Sequence, residues 1–146
     1  MSEARVRKSL SKLSLKFSGL STFIDGLAVE STTNLAVAGT NGSKLFFNME
    51  WVRLLSEEQL DSLVMHEVIH VIDMHVERIG NRRLDLWNSA CDIRANYVLR
   101  QINMDAPEGT TDNPIYDGMQ AEPIYDDLED QYSKMKRAML AHGIQL

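Results

Sequence analysis

Three observations in the sequence predict an α+β domain. Strand-like apolar runs are confined to residues 27–48, and helical periodicity occupies the chain on both sides of that block. Thr40-Asn41-Gly42-Ser43 places an Asn-Gly pair between two such runs, a strong short-range hairpin signal. The 146 residues, 44% hydrophobic and 25% charged, suit one packed domain and leave out disordered and low-complexity classes. The expected architecture is a small antiparallel or mixed sheet, one long central helix and three further helices.

Each element has a local reason. Val6, Leu10, Leu13 and Phe17 recur at helical spacing, so residues 1–18 read as a basic amphipathic helix that stops near Gly19. Strands are expected at Leu27–Glu30, Leu35–Ala38 and Lys44–Asn48. Ser56-Glu57-Glu58-Gln59 is a capping box that opens the central helix, which the pattern carries to about Ile79 with Gly80 behind it. The next helix runs from about Asp85 to Ile102. The three prolines, Pro107, Pro114 and Pro123, punctuate an acidic loop at 103–120 and the start of a last helix that reaches about Ala141. A loop of that length is usually functional or mobile.

Charge and cysteine usage narrow the function. Fifteen Lys and Arg against 21 Asp and Glu give a net charge of -6, which speaks against a nucleic-acid binder built on bulk electrostatics. No apolar run approaches the ~20 residues of a membrane span, and no h-region follows the basic start. One cysteine, Cys91, fits a reducing and hence cytoplasmic setting. Residues 105–130 carry nine acids and no Lys or Arg, a solvated face with some attraction for the basic first helix.

The chemistry concentrates at His66-Glu67-Val68-Ile69-His70. Four residues are just over one helical turn, so both imidazoles project from one face and can chelate one Zn²⁺. Glu67 lies about 100° round the helix from His66, beside the metal, where its carboxylate can act as general base on a water. The competing reading is an amphipathic helix whose histidines are merely part-buried. A catalytic zinc needs a third protein ligand, and two candidates exist. His75, in a continuous helix, sits ~140° round from His70 and ~7.5 Å further along, and no glycine between them makes a turn. Asp92 is preferred, because Asn88, Asp92 and Asn96 form a polar stripe on the following helix, which must run back against the first. Asp73 and Asp85 are candidate outer carboxylates, His75 and Arg78 helix-end groups, Cys91 a small buried residue. Tyr116 and Tyr125 are candidate oxyanion donors or packing.

The HExxH sequence, His75, Arg78 and Leu86-Trp87-Asn88-Ser89-Ala90-Cys91-Asp92-Ile93-Arg94-Ala95-Asn96 resemble the metallopeptidase domain found in front of von Willebrand factor A-like domains in many bacterial and phage proteins. The resemblance extends to Thr40-Asn41-Gly42, to Leu45-Phe46-Phe47-Asn48 and to Met119–Tyr125, so it covers the chain from about residue 20. It implies a zincin-like fold with the sheet packed on the HExxH helix. Two departures stand out. No von Willebrand-like half follows in this sequence, and Cys91 and the Arg94 region replace smaller or apolar residues.

The expected function is a zinc-dependent peptidase: His66, His70 and Asp92 hold Zn²⁺, and Glu67 is general base for a metal-activated water. A peptide or protein substrate would add to the sheet edge of the 35–48 hairpin. The alternative is a non-catalytic zincin-like scaffold in which zinc is structural and the domain binds a protein partner. A hydrolase acting on another bond comes third. Glu67 favours the enzyme, since a structural clip has no use for that carboxylate.

Overall fold

A computed structural model describes residues 2–144. It is α+β, with six α-helices and a three-stranded mixed sheet. Five helices accompany the HExxH helix, where three were expected; the two additional ones are short.

The first helix, α1 (Ser2–Lys16), buries Val6, Leu10 and Leu13 along one stripe. A 3-10 turn and the short α2 (Ser21–Asp25) lead into β1 (Ala28–Ser31). Next come β2 (Ala38–Thr40), β3 (Lys44–Phe47) and the single-turn α3 (Met49–Val52). The sheet order is β1-β3-β2, with β1 parallel and β2 antiparallel to β3. Alternate residues Leu45 and Phe47 are fully buried, and Val29 pairs with Leu45 beside them. The Asn-Gly hairpin forms as expected. The Asn41 carboxamide oxygen accepts the Ser43 and Lys44 amides at 3.0 and 2.9 Å, and Gly42 supplies the positive φ of 98°.

Asn48 explains why β2 starts at Ala38 and not at Leu35. Its side-chain Oδ1 accepts the Glu50 amide and so caps α3, while its Nδ2 donates to the Leu35 carbonyl at 2.9 Å. Its backbone N–H donates to the Val37 carbonyl at 2.8 Å. Residues 35–37 are therefore tied to the cap and do not run a regular ladder. β2 remains an edge strand.

The central helix α4 (Glu57–Ile72) opens on the expected capping box and is buried from Ser62 to Val71. It ends seven residues before the expected Ile79. The Met74 N–H bonds the Val71 carbonyl at 3.1 Å and the His75 N–H bonds the His70 carbonyl at 3.0 Å, with Met74 at φ 53°. This is a Schellman stop, with methionine in the left-handed position that glycine usually takes. A 3-10 turn at Glu77–Ile79 and Gly80 reverse the chain into α5 (Leu84–Gln101), which runs back along α4.

Two apolar clusters result. The first joins α1, the sheet and α4, and includes Ala95 and Leu99 of α5. The second joins Trp87, Ala90, Cys91 and Ile93 to Tyr116 and to Ala121, Ile124 and Tyr125 of α6 (Ala121–Ala141). α5 thus belongs to both. The segment between α5 and α6 contains a 3-10 turn at Pro114–Tyr116 and is gripped by Arg100, which donates to both oxygens of Asp112 at 2.7 Å and to Asp117. The acidic stretch does not pair with α1 among the described residues. Its acids meet Arg78 and Arg100, whereas α1 sends Arg5 to the Val52 and Leu55 carbonyls and Lys12 to Asp61. No helix among the described residues is long and apolar enough to cross a membrane.

Candidate metal centre

α4 brings His66, Glu67 and His70 together because its buried face must be satisfied by neighbours rather than by water. Donor atoms of these three residues all lie within 4.8 Å of one another. α5 adds a fourth group across the helix pair. Asp92 Oδ1 is 3.1 Å from His66 Nε2 and 3.1 Å from His70 Nε2, and the two Nε2 atoms are 2.9 Å apart. The preferred candidate Asp92 therefore meets both histidines through one oxygen.

The tautomer of His66 follows from its other nitrogen. Asn96 is fully buried, and its Nδ2 donates to the Thr111 carbonyl at 2.8 Å and to Thr110 Oγ1 at 3.1 Å. A carbonyl only accepts, so this fixes the orientation of the carboxamide and turns its oxygen to His66 Nδ1, 2.9 Å away. Nδ1 must then carry the hydrogen, and in the neutral ring Nε2 presents a lone pair. That lone pair faces a carboxylate oxygen and stands 2.9 Å from a second imidazole nitrogen, a cluster that a shared cation would reconcile. Two imidazole nitrogens and one carboxylate oxygen make a donor set that suits a divalent metal such as zinc.

The electrostatics agree with a site built to hold positive charge. Burial lowers the His66 pKa, but the hydrogen bond with Asp92 and the charges of Glu67 and Asp92 outweigh it, and the net shift is upward. Burial raises Asp92, yet its bonds to His66 and His70 hold it well below the usual carboxylate range. Asp92 Oδ2 is occupied by the Thr111 amide at 3.2 Å, which leaves Oδ1 to the histidines.

His75 does not point away. The Schellman stop returns it to α4, with its Nδ1 2.8 Å from His70 Nδ1 and 3% of its surface exposed. It stands behind His70, on the opposite nitrogen from the one that faces Asp92. Trp87 Nε1 donates to the His75 carbonyl at 2.7 Å and fixes that backbone. Burial, followed by the charges of His70 and Arg78, brings the His75 pKa down to about 3. Arg78 is not a lone helix-end cation: it donates to Glu122 at the start of α6 and to the Asp73 carbonyl.

The remaining candidates settle away from the chemistry. Asp85 pairs with Arg83 at the exposed start of α5. The Tyr116 hydroxyl donates to Asp127 and the Tyr125 hydroxyl accepts the Arg83 amide, so both are packing residues of the second cluster. Cys91 is buried as expected, its thiol pushed up by burial and then by the Asp92 charge. Sequence reasoning missed Thr110 and Thr111, since their contribution is largely through backbone groups of an irregular loop. It also missed the turn at Met74, where no residue type signals a stop.

A cleft of about 330 Å³ opens onto Glu67, His70 and Asp92, with Ala38, Gly39 and Thr40 of β2 along one wall and Trp87 and Asn88 of α5 along the other. Glu67 is 4% exposed, so its carboxylate reaches this space from an otherwise buried helix.

The fold and this centre define a class: a small α+β domain with a helix-borne HExxH motif whose two histidines and glutamate cluster beside a cleft. Residues 1–143 match the family whose description reads "Putative metallopeptidase domain", and the chain belongs to that family. No curated protein matches the chain. No solved structure matches it.

Proposed function

We propose that this domain is a zinc-dependent peptidase of zincin-like organisation, with His66 Nε2, His70 Nε2 and Asp92 Oδ1 as metal ligands and Glu67 as general base. The observation that carries this reading is the convergence of those three atoms, 2.9–3.1 Å apart, next to a carboxylate in the cleft. Zinc bound there would supply Lewis acidity to a scissile carbonyl and to the attacking water. Glu67 takes a proton from that water and returns it to the leaving amine. The free edge of β2 lines the cleft, and an extended peptide adds to it through main-chain hydrogen bonds while its side chains alternate between wall and solvent.

The test is elemental analysis together with a peptide-library digest. Wild type should hold about one zinc per chain, as a three-ligand site does. Asp92→Ala should lose it, and Glu67→Gln should keep it and lose cleavage. Zinc retained by wild type with no cleavage of any peptide would favour the partner-binding scaffold; no zinc at all would sink both readings.

A further inference from the structure

We propose that His75 is a positioning residue that presets His70 for metal binding, by accepting the Nδ1–H of His70 and thereby leaving the His70 Nε2 lone pair free for the ion. The His70 Nδ1 to His75 Nδ1 separation is 2.8 Å, so one of these two nitrogens carries the hydrogen and the other receives it. Distance alone leaves the direction open. The far side of His75 closes it.

His75 Nε2 is buried and has no hydrogen-bond partner. The carboxylate oxygen Oδ2 of Asp73 stands 3.6 Å from it. A bare Nε2 lone pair would face that negative oxygen in a water-poor interior, which is repulsive; an Nε2–H facing it is attractive. Asp73 therefore selects the Nε2–H tautomer of neutral His75. His75 Nδ1 is then an acceptor, His70 Nδ1 must donate, and His70 Nε2 is left as a lone pair aimed at His66 Nε2 and Asp92 Oδ1. The order runs Asp73, His75, His70, metal position, each group fixing the proton of the next. Carboxylate partners commonly orient ligand histidines directly. Here an imidazole is interposed.

The arrangement is built by the helix stop. In a Schellman turn the residues at the third position before the cap and the second after it come into contact, usually as an apolar pair. In this chain those residues are His70 and His75, so the turn that ends α4 also forms the hydrogen bond. Trp87 holds the same residue from α5 through its carbonyl. His66 is oriented independently, by Asn96. The two ligand histidines thus have separate supports.

This role rests on His70 binding metal through Nε2, and the experiment keeps the two claims apart. Zn²⁺ affinity of the full chain is measured by competition with a chromogenic chelator for wild type, His70→Ala, His75→Leu and His75→Asn. Leucine keeps the packing and removes the acceptor; asparagine puts a carboxamide oxygen near the former Nδ1. His75→Leu should bind ~10–100-fold more weakly, and His75→Asn should recover most of the loss. Wild-type affinity in His75→Leu, with His70→Ala empty, overturns the positioning role and leaves the metal reading intact. Wild-type affinity in His70→Ala overturns the metal reading itself. Loss in both His75 variants to the level of His70→Ala makes His75 a direct ligand and also overturns the proposal. Histidine nitrogen NMR on the zinc-loaded wild type decides the matter even where a variant does not fold: His70 should show Nδ1–H and His75 Nε2–H, and a hydrogen on His75 Nδ1 refutes the assignment.

Discussion

Met74 holds a backbone conformation that costs an L-residue roughly 1–2 kcal/mol, because its Cβ crowds the following carbonyl. The residue is 55% exposed, so little packing is lost if its side chain goes. Met74→Gly should therefore raise the stability of the metal-free protein by about 1 kcal/mol, read as a shift of the urea midpoint at unchanged slope. A loss of stability would mean that the methionine makes contacts that outweigh its strain. Glu67 belongs at the same scale. Glu67→Gln keeps the size of the side chain and removes its basicity, and a general base typically accounts for ~10²–10⁴ in rate. Cleavage should fall by that order with zinc content unchanged. The approach of Asp92 to the HExxH pair was legible in the sequence because helical spacing and a polar stripe follow from fixed geometry. The true place of His75 was not, since it depends on a left-handed residue that nothing in Val71-Ile72-Asp73-Met74 announces.

Between elements, α4 and α5 meet the loop through Asn96. This one side chain is fully buried, orients His66, and holds Thr110 and Thr111. Asn96→Ala strands the buried His66 Nδ1–H and frees the loop, and leaving a buried donor unpaired costs about 1–3 kcal/mol. The urea midpoint should fall accordingly. Amide exchange at Thr110 and Thr111 should rise at the same time; protection unchanged there would show that Arg100 and Asp92 secure the loop without Asn96. The long acidic loop could be recognised from sequence as too long for a mere connection. Its attachment to the centre could not, because those contacts run through the Thr111 carbonyl and amide, backbone groups that every residue type except proline carries.

At the scale of the molecule, two clusters share α5, and the ion pair Arg78–Glu122 ties the turn after α4 to α6. Glu122 is held below its ordinary value, by Arg78 first, against the opposing effect of burial. Its contribution is complete above the unfolded-state value of about 4.3 and is lost as pH falls through the lower folded-state value. Wild type should melt higher than Glu122→Gln at pH 7, with the gap closing below pH 4; a constant gap would mean that the pair does not discriminate charge. A bound metal would tie α4 to α5. Since the proposed ligands come from α4 and α5, zinc at 100 times its dissociation constant should add about 2.7 kcal/mol to folding, seen as a melting temperature that climbs with free zinc and collapses with chelator. The α+β class and the long helices could be read from periodicity, whereas the parallel run of β1 against β3 could not, since periodicity carries no strand direction. The one-turn α2 and α3 could not, being too short to show a period.

Asp92 lies 26 residues beyond His66, and Thr111 a further 19. During synthesis, a chain that has emerged only as far as Gly80 displays both histidines and Glu67 on a formed or forming helix, with neither the carboxylate nor the loop amide that would complete the centre. The order of translation itself would therefore leave the centre incomplete until the chain has been made past Thr111 and that loop has docked on Asp92.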